Sequence, residues 1–383
     1  MKPKSLTYNI EKGLSFFNYN TGEIQSNIWE ELRNGLWRLF SCEAYLYNDM
    51  LLSEDIEKSK QLFPTFHQIV PGTVWENNSN TLSKNLYVPT KTNGSLSNLL
   101  DATSLYIDSL NTKRIGVHLS GGFDSSLIMG LLKTLRIPFV PIGLKSETFE
   151  FRTERVIQDI LMEWGEDGML IDIEECPYYS GLMEIPAHQI PDSDIKSTNS
   201  AKILAAAFAE RGCDVVFNGL GGDNLFVDAI KDINHMAFNV DYEFCNYTEA
   251  ERYYKPYGIK LLSFYANHSI IDIISSARVG HGNDYHKLWA RDWAKTILPK
   301  EIVEHSFFAD FSGLTLWGLE NAKPEIKVLM EEAYDFTNNA YFSPKKINRY
   351  LNQSYFAFDF KDYIRFCGLL SIASWYHSLL NND

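Results

Sequence analysis

Basic residues are in short supply. Thirty-five lysines and arginines stand against 49 aspartates and glutamates, giving a net charge of −14 and a pI near 5.2. A nucleic-acid partner wants a basic face, so this balance argues against tRNA or DNA as substrate. Cysteine is scarce too. The five residues, Cys42, Cys176, Cys213, Cys245 and Cys367, form no Cys-x-x-Cys pair, and no histidines cluster at metal spacing. A zinc site and a disulfide framework are both disfavoured, and most of these cysteines are expected in the core. No apolar run reaches the about 18 residues that a bilayer span needs, and Ser269 to Ala277 is short and interrupted. The N-terminus, Met1-Lys-Pro-Lys, lacks the long apolar segment of a secretory signal. The expectation is a soluble, cytoplasmic protein with no membrane partner. Two common nucleotide signatures, Gly-x-x-x-x-Gly-Lys-Ser/Thr and Gly-x-Gly-x-x-Gly, are also missing.

What is present is a chain of 383 residues, 45% apolar and 14% aromatic. That is enough for a sizeable core and for two domains, or for one large domain with an appendage. Residues 1–95 read as a small β-rich domain. Short aromatic strands at Leu14–Tyr19, Glu43–Tyr47 and Thr73–Glu76 alternate with polar turns, and Pro89 to Ser95 reads as a linker. Apolar spacing then predicts a helix over Leu96–Leu110, with Ser95 as its N-cap. From Ile115 the pattern alternates. Strands are expected at Ile115–Leu119, Phe139–Gly143, Met169–Ile173 and Val215–Asn218. Helices are expected at Leu127–Leu135, Glu150–Trp164 and Ser200–Glu210. Such alternation predicts an α/β fold with a doubly wound parallel sheet and ligands at the carboxyl ends of its strands. The chain beyond about residue 227 reads as mostly helical.

Two glycine turns follow predicted strands. The first is Leu119-Ser120-Gly121-Gly122-Phe123-Asp124-Ser125-Ser126. Two glycines let the backbone wrap closely around an anion, and the N–H groups of the helix start point at it. Ser120, Ser125 and Ser126 add hydroxyls. Asp124 would repel a phosphate unless Mg²⁺ sits between them. The second turn, Asn218-Gly219-Leu220-Gly221-Gly222-Asp223, places a second carboxylate at a strand end. Two carboxylates from adjacent turns suit a Mg²⁺ that bridges the phosphates of a nucleotide.

The first turn resembles the Ser-Gly-Gly-x-Asp-Ser loop of the N-type ATP pyrophosphatases. The pair of turns resembles the synthetase domain of the asparagine synthetases, whose relatives include β-lactam synthetases and lasso-peptide cyclases. Phe139-Val-Pro-Ile-Gly143 is similar to the family's second strand. Tyr285-His-Lys-Leu-Trp-Ala-Arg291, followed by Ile297-Leu-Pro-Lys-Glu-Ile-Val303, is similar to its Lys-x-x-x-Arg helix and Leu-Pro segment. Pro64 to Gly72 is similar to the segment that closes its N-terminal domain. The resemblance implies an adenine nucleotide α-hydrolase-like fold over residues 96–383, with ATP and Mg²⁺ bound. It implies that Ser120, Gly121, Gly122, Phe123, Ser125 and Ser126 hold the nucleotide's phosphates and that Asp124 and Asp223 bind the metal. Leu119, Ile142 and Gly143 would line the adenosine pocket, and Gly219 would face the nucleotide. Lys196 falls near a basic position of the family.

Three departures qualify the resemblance. Lys2 stands where the family's glutaminase carries a nucleophilic cysteine, and residues 1–95 are too few for that domain, so no glutamine hydrolysis is expected. Leu220 replaces a catalytic glutamate. The family's lysine after the Leu-Pro segment falls at Phe307 or Phe308, beside His305. Asp192 and Asp194 are candidate replacements. The resemblance implies an AMP-forming amide ligase acting on a small-molecule or peptide carboxylate. The favoured reading is a specialised ring-closing amide-former, with room for a partner protein from its pathway. The alternatives are an ammonia-dependent asparagine synthase and a non-catalytic ATP-binding relative.

Overall fold

The computed structural model describes residues 4–7, 15–18, 23–25, 28, 32, 66–69, 73–78, 81–86, 89–146, 152–186, 188, 191, 194–227, 252–304, 312–337, 340–352 and 360–381. The described residues of the N-terminal part include six short strands: β1 (Lys4–Thr7), β2 (Ser15–Asn18), β3 (Glu23–Gln25), β4 (Phe66–Ile69), β5 (Thr73–Asn78) and β6 (Thr81–Leu86). They form two antiparallel three-stranded sheets, ordered β1-β5-β6 and β3-β2-β4. The strand expected at Glu43–Tyr47 lies outside the described residues.

Helix α1 (Leu96–Leu110) has the expected bounds. The Ser95 hydroxyl accepts the Asn98 N–H at 3.2 Å, capping the helix start. Asn111 ends the helix in the left-handed region, which asparagine tolerates. The central sheet follows: β7 (Ile115–His118), β8 (Phe139–Lys145), β9 (Met169–Asp172), β10 (Val215–Asn218) and β11 (Lys260–Ser263). All neighbours are parallel, in the order β11-β10-β7-β8-β9. The first strand therefore lies between the second and the fourth, which is a doubly wound order with its switch point between β7 and β10. Strand β11 is absent from the sequence expectations. Its four residues, Lys-Leu-Leu-Ser, carry no alternation to announce a strand, and pairing with β10 supplies what the sequence does not.

Helices α2 (Phe123–Thr134), α3 (Arg152–Met162) and α4 (Thr198–Glu210) flank this sheet, along with the short α5 (Gly222–Phe226) and α6 (His268–Arg278). Buried Val117, Ile142, Leu161, Phe208 and Phe217 share one core with them. Gly116 in β7 leaves room for Phe208, since a Cβ there would lie 2.5 Å from its ring. Helix α2 starts four residues before the expected Leu127. Apolar spacing begins at Leu127, but Gly122 is the cap, so Phe123 to Ser126 form the first turn.

Among the described residues that follow are helices α7 (Leu288–Trp293), α8 (Lys300–Glu304), α9 (Ser312–Thr337), α10 (Pro344–Asn352) and α11 (Phe360–Asn381). Helices α9 and α11 build a second core around Leu329, Phe366, Leu370 and Trp375. Cys176 and Cys213 are buried and Cys367 is partly buried, all three as free thiols. Among the described residues no helix is long and apolar enough to cross a membrane.

Candidate active site

The two glycine turns leave adjacent strands at the switch point. After β7 the chain turns through Gly121 at φ +82° into α2, and after β10 through Gly221 at φ +84° into α5. Both positions are left-handed, where a side chain is strained. Gly122 caps α2 without any side-chain hydrogen bond, which leaves the first-turn amides for an anion. Gly222 has a different task. A Cβ there would stand 2.4 Å from Asp124 Cγ and 2.6 Å from its Oδ1. Bare backbone at Gly222 is what lets the second turn approach the first carboxylate.

Asp124 and Asp223 meet at one nitrogen. Lys287 Nζ lies 2.8 and 2.6 Å from the two Asp124 carboxylate oxygens and 2.5 Å from Asp223 Oδ1. The Lys287 side chain is 7% exposed and that of Asp223 is 65% exposed, so the cluster is open on the Asp223 side. Burial works against the lysine's charge, but the two carboxylates outweigh it and hold the Lys287 pKa above its ordinary value. Burial also pushes the Asp124 carboxyl up, against the pull of Lys287.

Aromatic rings wall this cluster. Phe123 and Phe226 pack edge to face at 5.1 Å. Lys287 Nζ lies 5.9 Å from each ring, within cation–π reach. Tyr265 packs edge-on against Phe226, and its hydroxyl donates to the Asp124 carbonyl at 2.7 Å. Lys287 itself has φ +56° and caps α7, in a turn fastened by Asp284. Asp284 accepts from the Lys287, His286 and Trp289 amides at 3.0, 3.2 and 3.1 Å. Arg291, one helical turn on, donates to the His286 and Ile302 carbonyls.

The lysine-bearing segment is also fastened to α5. Arg278 Nη1 donates to the Leu225 carbonyl at 2.7 Å, Trp289 Nε1 to that of Phe226 at 3.1 Å and the Asp284 amide to that of Val227 at 2.9 Å. Three successive carbonyls at the end of the Asp223 helix thus find partners on residues 278–289. A helix of five residues could not satisfy them itself.

The remaining predicted residues fall out as follows. The Ser120 and Ser125 hydroxyls share a 2.9 Å hydrogen bond at the first turn. Ser126 is fully buried and donates to the Gly122 carbonyl at 2.7 Å, so its hydroxyl serves the helix. Phe123 also turns inward, leaving its backbone as what it offers the turn. Leu119 and Ile142 are buried and joined by a 2.8 Å backbone bond, and a Cβ at Gly143 would lie 1.9 Å from the Leu119 carbonyl oxygen. Gln158 donates to the Leu144 carbonyl at 2.8 Å behind the same turn. Gly219 faces Asp124, and a Cβ built on it would lie 3.2 Å from that of the aspartate. Leu220 packs against the core, its amide bonded to Asn218 Oδ1 and its carbonyl to Ser263 Oγ. Lys196 stands 3.9 Å from Asp194 and 6.0 Å from the Tyr178 ring, apart from this cluster in every contact described. Asp192, His305, Phe307 and Phe308 lie outside the described residues. In the sequence Lys287 stands only as part of a helix resemblance, with no role. Its partner Asp124 is 163 residues away, a separation that only folding closes.

Two carboxylates held on a single cation lie at the switch point of a parallel sheet and beside an uncapped helix start, which is where α/β proteins place their ligands. Residues 109–229 match the family model described as asparagine synthase. The structure of NMN synthetase from Francisella tularensis is similar at 14% identity, covering 68% of this chain and 92% of that one with a TM-score of 0.31. A comparison with curated proteins finds no match.

The residues fit a divalent metal. The Lys287 ammonium is a stand-in cation, and it already draws the oxygens of Asp124 and Asp223 to one point. Among the described residues no three His, Cys, Asp or Glu side chains gather as a metal cluster. Two carboxylates plus phosphate oxygens are what Mg²⁺ takes in many nucleotide sites.

Proposed function

We propose that the protein is an AMP-forming carbon–nitrogen ligase that adenylates a small-molecule or peptide carboxylate and passes the acyl group to an amine. The observation that carries this reading is the convergence of Asp124 and Asp223, from two glycine turns, on one cation position. The substrate carboxylate attacks the α-phosphorus of ATP, and the bond to the β-phosphate oxygen breaks. The amine then attacks the acyl carbon, forming the C–N bond and releasing AMP. Asp124 and Asp223 would hold Mg²⁺, which supplies neutralisation of phosphate charge when bound. The first-turn amides of α2 and the exposed Ser120 hydroxyl would hold the departing pyrophosphate, with Ser125 supporting Ser120 through their shared hydrogen bond, and Lys287 would add a positive charge beside it. Leu119, Ile142 and Gly143 border the adenosine. The work is positioning and charge stabilisation.

The amine would be ammonia or a group of the substrate itself. We favour an amine within the substrate, closing a peptide or lactam ring, in the cytoplasm where Mg-ATP is supplied and where a pathway partner could deliver the substrate. The second reading, a non-catalytic ATP-binding relative, draws on Leu220. Its side chain is apolar and its backbone groups are both engaged, so it gives no carboxylate to orient an amine.

The test is carboxylate-dependent release of AMP and pyrophosphate from Mg-ATP, with Asp124→Ala and Asp223→Ala as controls. Substrates would be aspartate with ammonia and synthetic peptides carrying both an amine and a carboxylate. AMP release abolished by both substitutions supports the ligase. ATP binding without AMP from any substrate supports the second reading.

A further inference from the structure

We infer that Lys287 makes metal uptake at the Asp124–Asp223 pair depend on the nucleotide: a divalent cation enters only together with a polyphosphate that receives the lysine's ammonium. The inference rests on the reading of those two carboxylates as metal ligands.

The ammonium lies on both oxygens of Asp124 and on Oδ1 of Asp223, at 2.5 to 2.8 Å. A Mg²⁺ ion must approach the same oxygens to about 2.0–2.1 Å. Both cations cannot share them, because like charges that close repel strongly. The lysine must therefore move before a metal can enter.

Its room to move is limited. The backbone of Lys287 is held at φ +56°, where its amide donates to the Asp284 carbonyl, and its own carbonyl accepts from Arg291 at 2.9 Å. Phe123 and Phe226 wall one side of the ammonium. Displaced by a metal alone, the ammonium would stay near the site without an anionic partner, and an uncompensated buried charge is strongly unfavourable. The uncapped start of α2 lies next to the cluster, since Asp124 sits in its first turn. A triphosphate seated there brings negative charge to the place the ammonium would have to go. Metal and nucleotide then enter as one complex, and free metal is kept out.

Manganese(II) serves as the probe, with free ion followed by electron paramagnetic resonance on the full chain. Titrations are run with and without a non-hydrolysable α,β-methylene ATP. The wild-type protein should bind Mn²⁺ at least about tenfold more tightly with the analogue, the coupling expected when one ligand removes a competing charge. Lys287→Met should bind Mn²⁺ without nucleotide at least about tenfold more tightly than wild type, because the carboxylate pair is left exposed. Lys287→Arg should keep the nucleotide dependence. Equal Mn²⁺ affinity with and without the analogue in the wild type overturns the inference, whether or not Lys287→Met folds. So does a folded Lys287→Met that gains no affinity. Persistence of nucleotide-dependent Mn²⁺ binding in Asp124→Asn and Asp223→Asn would instead overturn the assignment of the ligands.

Discussion

Replacing Gly222 by alanine tests the geometry most sharply. The added Cβ would stand 2.4 Å from Asp124 Cγ, 2.6 Å from Oδ1 and 2.9 Å from Cβ. Asp124 cannot simply swing aside, because its carboxylate is held by Lys287 and its carbonyl by Tyr265. Either the two turns separate or the carboxylate leaves the lysine. Overpacking of this kind costs about 1–3 kcal/mol. Nucleotide affinity should fall at least about tenfold, the equivalent of about 1.4 kcal/mol. Gly219 and Gly212 give the scale. A Cβ at Gly219 would lie 3.2 Å from Asp124 Cβ, a milder contact, so Gly219→Ala should weaken Mg-ATP binding less. Gly212 has φ +70° and open space around it. Gly212→Ala should therefore cost about 1 kcal/mol of stability through backbone strain and leave binding intact. Urea denaturation measures stability, and isothermal titration calorimetry with Mg-ATP measures affinity. Wild-type affinity in Gly222→Ala, or a larger loss in Gly219→Ala, would refute the argument that bare backbone at 222 admits Asp124.

Two further outcomes follow from named contacts. Tyr265→Phe removes the hydroxyl that donates to the Asp124 carbonyl; stability in urea should drop by about 1 kcal/mol, and calorimetry should show a weaker Mg-ATP complex. His118, half-buried with its ring stacked on Phe208 and bonded to the Tyr254 hydroxyl, has its pKa lowered by desolvation to about 4. The unfolded chain protonates it near pH 6.5 and the folded chain does not, so stability falls as pH drops from about 6.5 to about 4, by up to about 3 kcal/mol. Denaturation at a series of pH values should show a shallower decline for His118→Gln.

Much of the α/β segment is legible in the sequence because its signals are local. The strand at Val215–Asn218 and the helix at Leu96–Leu110 have the expected bounds, each marked by an apolar run and a polar or glycine stop. The two glycine turns are legible for the same reason. Strand β11 is not, since Lys260–Ser263 becomes a strand only by pairing with β10. Apolar spacing misplaces the start of α2 because Asp124, Ser125 and Ser126 are polar, so the first turn carries no apolar signal although both serines are buried. Lys287 is the largest omission. The sequence offers it only as part of a helix resemblance, and only the tertiary structure carries its ammonium between two aspartates.

The hydrogen bonds from Arg278, Asp284 and Trp289 to the Leu225, Val227 and Phe226 carbonyls give the second turn a remote dependence. Asp223 and Lys287 are mounted on one frame, whereas Asp124 is mounted on another, at the head of α2. Sequence drift in the 278–289 segment would thus change the position of a carboxylate more than fifty residues upstream. Engineers who graft this domain would have to transplant the two stretches as a unit, since either one alone would arrive without its supports.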